Sequence, residues 1–155
     1  MAMAARDLIA RLGPDGGLRC RTGIVLVPPA DLPSIADFGA RHGMDTIAYA
    51  EAILREMSSE SQFASLSVDA ESERLRRIAD NPSGSPVLLI AQFDVALARL
   101  RTMDRDRLWQ TVLTYLTQTR HGLLLAMPST AHRLLPGEKV REELLTSGRI
   151  TPSHD

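Results

Sequence analysis

Three uninterrupted apolar runs mark the chain: Gly23-Ile24-Val25-Leu26-Val27, Pro86-Val87-Leu88-Leu89-Ile90-Ala91 and Leu123-Leu124-Leu125-Ala126-Met127. None alternates with polar residues. Gly or Pro bounds each, so each reads as a strand buried on both faces. Helical spacing appears between them. Ala2 to Leu12 reads as a short amphipathic helix, stopped by Gly13-Pro14-Asp15-Gly16-Gly17. Asp31 is placed to cap a helix from Leu32 to about Arg41, with Pro33 in its first turn. Asp45 to Tyr49 is a weaker strand pattern. Ala50 to Met57 reads helical, and Ser58 to Ser67 reads as a serine-rich loop. Asp69 to Asp80 reads as a charged helix with Leu75 and Ile78 inward. Arg105 to Thr119 gives the clearest helical stripe, formed by Leu108, Val112, Tyr115, Leu116 and Thr119. Val140 to Leu145 reads as a short helix, and Arg149 to Thr151 as a short last strand.

Apolar runs that alternate with helices predict an α/β fold in three layers, a mainly parallel sheet flanked by helices. The chain has 155 residues and shows neither a repeat nor a linker. It reads as one domain over 1–155, with a helix at about 2–12 and a tail at about 152–155.

Composition removes several classes. Hydrophobic residues are 44% and charged residues 24%, as in an ordinary globular domain. A net charge of -1 argues against a protein that coats nucleic acid. The single cysteine, Cys20, excludes disulfides and cysteine-based zinc sites within one chain. No apolar run reaches the ~20 residues of a membrane span, and Met1 to Arg11 has no signal-peptide core. The expectation is a cytoplasmic protein that is not bound to membrane. Among 18 basic residues only Lys139 is a lysine. It lies in Gly137-Glu138-Lys139-Val140, which lacks the Gly-Lys-Ser/Thr ending of a phosphate loop.

The order of segments resembles a P-loop NTPase core of the compact AAA-like kind. After the first strand comes Val27-Pro28-Pro29-Ala30-Asp31-Leu32-Pro33-Ser34, where such proteins place Gly-Pro-Pro-Gly-x-Gly-Lys-Thr. Pro28, Pro29 and Ser34 match. Val27, Ala30 and Leu32 replace glycines that let backbone approach phosphate, and Pro33 replaces the lysine. After the second strand comes Ala91-Gln92-Phe93-Asp94, where the family often has Asp-Glu-Phe-Asp. Alanine offers no oxygen to a metal shell, and glutamine cannot act as a base. Ser129 and Thr130, after the third strand, occupy the family's sensor position. The layout from Phe93 to Pro136 is similar to the small P-loop protein of BREX-type phage-defence systems. An unrelated doubly wound α/β domain is the alternative fold.

The resemblance implies a pseudo-ATPase with no catalytic residue and no cofactor. It implies an accessory or scaffold subunit of a bacterial multi-protein assembly, antiviral defence being the candidate setting. Such a subunit acts through protein–protein contacts, with an ATPase among the candidate partners and self-association open. Two alternatives stand beside it: a nucleotide-dependent ATPase with an atypical phosphate site, and a DNA-contacting adaptor.

Arg99, Arg101, Arg105 and Arg107 form a basic cluster that is joined by Arg120 and Arg133. It is the candidate interface for protein or DNA. Asp94, Asp104 and Asp106 interleave with it and predict internal pairing. Arg74, Arg76 and Arg77 alternate similarly with Glu71, Glu73 and Asp80. Trp109 reads either as an interface anchor or as core. His42, His121, His132 and His154 show no metal spacing. Cys20 lies between Arg19 and Arg21. No Gly-x-Ser-x-Gly elbow occurs.

Overall fold

The computed structural model describes residues 3–59 and 67–154, with backbone alone at 56–59. Helix α1 (Ala5–Leu12) leads into β1 (Thr22–Val27). A 3-10 turn (Pro29–Ser34) and α2 (Ile35–Arg41) connect it to β2 (Asp45–Ala48). Helices α3 (Tyr49–Ser59) and α4 (Val68–Asp80) precede β3 (Val87–Ala91). Next come α5 (Phe93–Ala98), α6 (Thr102–Gln110) and β4 (Gly122–Pro128). Helix α7 (Glu138–Thr146) and β5 (Ile150–Pro152) finish the fold.

The five strands form one all-parallel sheet in the order β2-β3-β4-β1-β5. Both faces are covered, which is why the central strands carry no polar alternation. On one face α1 and α2 pack Leu8, Leu12 and Phe38 against Val25, Leu89 and Leu124. On the other, helices α3 to α7 cover Ile24, Ile90, Leu123 and Leu125. Successive strand residues thus feed opposite layers, as the pleat requires. The end of α1 presses so closely on β4 that a Cβ at Gly122 would collide with the carbonyl oxygen of Leu12.

The structure corrects several boundaries. Asp31 caps no helix. Pro28, Pro29 and Pro33 lack N–H groups and tighten this stretch into a 3-10 turn, so α2 starts only at Ile35. Tyr49 opens α3 instead of ending β2. The serine-rich stretch is still helical to Ser59, and residues 60–66 lie outside the described residues. Pro152 belongs to β5 and not to the tail. Helix α5, unforeseen in the sequence, fills the stretch after β3.

The expected helix over 105–119 begins earlier, at Thr102, and its regular part ends at Gln110. A π-helical turn follows over Thr111–Tyr115. Val112 and Leu116 are buried as expected, but Tyr115 is exposed and Thr119 is not helical. Arginines from elsewhere in the chain take carbonyls within and beyond it. Arg149 donates to Leu113 O, Arg76 to Thr117 O and Arg21 to Thr119 O, at 2.9, 3.0 and 3.1 Å. These bonds satisfy groups that the helix would otherwise carry onward.

Candidate interaction rim

The strand order brings the ends of β1, β3 and β4 to one edge of the sheet, with β4 in the middle. Open α/β sheets bind ligands at this carboxyl edge. The Pro28–Ser34 segment follows β1. Gln92 and Asp94 follow β3, and Ser129 and Thr130 follow β4. The amide of Ser129 donates to Val27 O at 2.9 Å and ties two of these ends together. All three motif-like segments therefore share one rim.

The rim is poor in phosphate-binding groups. Pro28, Pro29 and Pro33 contribute no amide, and the Asp31 amide is spent on Pro28 O at 2.9 Å. The Ser34 hydroxyl turns back to Asp31 O at 3.1 Å. The adjoining depression, lined by Asp31, Ser34, Arg41 and His154, holds about 160 Å³. Small-molecule sites usually enclose roughly 300 Å³ or more. Ala91 is buried. Gln92 adopts the left-handed backbone, φ 66°, at the sharp turn from β3 into α5. Asp94 is half-buried, and this burial pushes its carboxyl above the usual aspartate range.

The arginine cluster lies beside this rim except for Arg120, which precedes β4 at the opposite edge of the sheet, where its amide donates to Asp80. Trp109 donates its Nε1 proton to Leu134 O at 2.8 Å, and Arg105 Nη1 donates to Arg133 O at 3.2 Å. Both acceptors lie in the loop after β4. Trp109 is 1% exposed and stacks edge-on against Phe93, with ring centroids 5.6 Å apart. It packs as a core residue. Arg105 is half-buried and serves as a strut. Arg99, Arg101 and Arg107 are exposed, and Met103 beside them is 78% exposed. The internal pairing expected here is missing: among the described residues no ion pair joins these arginines to Asp94, Asp104 or Asp106. Met103 and Arg107 are four apart in α6 and share its outward face.

The remaining candidates separate. His132 is exposed on the loop after β4, while His42 stacks on Phe38. His121 is buried with Nε2 2.8 Å from Asn81 O. No cluster of three or more His, Cys, Asp or Glu fit for a metal occurs among the described residues. Cys20 is buried, its Sγ 3.2 Å from Val112 O. Its charged neighbour is Arg149, whereas the Arg21 guanidinium turns to Leu12 O and Thr119 O.

The charged helix conceals the largest departure. Glu71 and Arg74 are not solvated. They are buried with Tyr49, whose hydroxyl donates to Glu71 Oε2. Burial, and then the Glu71 carboxylate, push the Tyr49 hydroxyl well above its ordinary pKa. An acid and a base at the i and i+3 positions of a helix signal nothing by themselves. Tyr49, at the start of α3, is what makes a core of them.

Compared with known proteins, the chain matches no family model, no curated protein and no solved structure. Among the described residues, no helix is long and apolar enough to cross a membrane.

Proposed function

We propose that this chain is a non-catalytic, P-loop-like accessory subunit of a bacterial multi-protein assembly, with phage defence as the setting and an ATPase as the candidate partner. One observation carries the reading. Three segments whose sequences resemble a phosphate loop, an acidic motif and a sensor share one rim, and on that resemblance Pro33, Ala91 and Gln92 stand where lysine, aspartate and glutamate would act. The parallel sheet, with β4 between β1 and β3, is what lets the three segments meet. The unpaired Arg99, Arg101 and Arg107 with exposed Met103 supply a protein-docking surface at the same rim. An exposed thioether suits a protein surface better than a phosphate backbone.

Co-purification from the native host tests this, with wild type compared to the triple variant Arg99→Glu, Arg101→Glu, Arg107→Glu. The variant should fold normally and lose its protein partners. Equal recovery of the same partners would move the interface elsewhere. Loss of nucleic acid alone would favour the DNA-adaptor reading.

A further inference from the structure

Helices α6 and α7 lie on the same face of the sheet and leave a groove between them of about 530 Å³. That is the size of a small-molecule site. Leu113, Val140 and Leu144 give it apolar surface, and Arg149 also lines it. Backbone holds the Arg149 guanidinium rigidly. Nε donates to Thr22 O at 3.0 Å, and Nη2 to Thr22 O and Leu113 O at 2.8 and 2.9 Å. Beyond these carbonyls, the side chain beside the guanidinium is that of the buried Cys20. Arg11 approaches from α1 and donates to Ser147 O, and Ser147 also lines the groove. Among the described residues no carboxylate pairs with either arginine, Glu143 on the groove wall included. Two neighbouring guanidiniums thus have no carboxylate partner, and that of Arg149 lines the groove. Asp106, Glu138 and Lys139 line the groove as well, and all three are exposed.

We propose that the α6–α7 groove binds a small amphiphile with a single anionic head, a carboxylate or sulfonate, which Arg149 receives while the apolar body lies along Leu113, Val140 and Leu144. A guanidinium fixed by backbone and without a carboxylate partner gives a charge-assisted hydrogen bond without reorganisation. Asp106, Glu138 and Glu143 outnumber Lys139 along the groove and disfavour a second negative charge, so a nucleoside triphosphate does not fit. This site is separate from the interaction rim and does not depend on it.

Octanoate and octanol are the probes, titrated by calorimetry into the folded chain. They share a body and differ in the head. Octanoate should bind at one site at least about tenfold more tightly than octanol. ATP at equal concentration should not displace it. Gly137→Trp should weaken octanoate at least tenfold while the far-UV spectrum and melting temperature stay unchanged. A Cβ at Gly137 meets open space, and an indole there would fill the groove. Arg149→Met is the direct variant, but its bonds to Thr22 and Leu113 also hold the fold. The comparison of heads on wild type decides the matter if that variant does not fold. Equal binding of octanol and octanoate, displacement by ATP, or full octanoate binding to Gly137→Trp would each overturn the proposal.

Discussion

Arg74 Nη1 lies 2.6 Å from Glu71 Oε2, one helical turn away, and both side chains are almost wholly removed from solvent. The guanidinium also sits 5.9 Å from the centre of the Tyr49 ring. Tyr49 in turn packs edge-on against Phe93, so the pair is built into the aromatic core beneath α5.

Removing one member should cost more than removing both. Glu71→Leu removes a buried carboxylate that faces Arg74 and accepts from the Tyr49 hydroxyl, and it should destabilise by about 3–5 kcal/mol. Glu71→Leu with Arg74→Met replaces the pair by apolar volume and should recover most of that loss. Urea unfolding of the three proteins is the measurement. A double variant no more stable than Glu71→Leu would contradict this account.

The left-handed Gln92 gives a prediction of the opposite sign. A non-glycine residue there costs about 1 kcal/mol, and its side chain is exposed. Gln92→Gly should therefore raise the melting temperature by a few degrees. A lower melting temperature would show that the amide makes a contact worth more than the strain.

Asp94 makes stability depend on pH. Its folded-state pKa is raised by burial. The folded form therefore binds a proton more readily than the unfolded chain. Stability is lost as pH rises from the ordinary aspartate value, about 3.9, through the raised one. Asp94→Asn should melt higher than wild type at pH 7, and the difference should shrink toward pH 3.5. A constant difference across that window would mean that the gain has another origin.

Purified protein should hydrolyse no ATP above the buffer rate. The rim offers neither a lysine nor an acid at the positions that such chemistry uses. Phosphate release measured with Mg²⁺ is the assay, and turnover abolished by Ser34→Ala would overturn the prediction.

The sheet was legible because its signal is local. A run such as Val87-Leu88-Leu89-Ile90-Ala91 has only one comfortable home, between two covered faces. Helix α5 was not legible, since Phe93–Ala98 is too short to display a period. The end of α6 was hidden for a different reason. Its helical stripe continues to Leu116 and Thr119, but Arg21, Arg76 and Arg149 compete for the carbonyls from far away in sequence. Burial of Glu71 was equally invisible, because Tyr49 approaches from an element 22 residues away. At the rim the sequence placed Pro28 to Ser34, Gln92 and Ser129 on a common edge. It could not show that Trp109 faces inward or that Arg99, Arg101 and Arg107 find no acids.

The three arginine clamps make the 113–119 stretch an instance of shape written elsewhere. Its carbonyls are the gripped atoms, and every residue type supplies the same carbonyl. Side chains such as that of Thr117 are thus free to drift, while the instructions reside in Arg21, Arg76 and Arg149. Lysine cannot take over this work, for an ammonium is a point charge and a guanidinium spans two acceptors at once. A chain that is folded by reaching across itself for backbone oxygen has a reason, beyond codon usage, to keep arginine in preference to lysine.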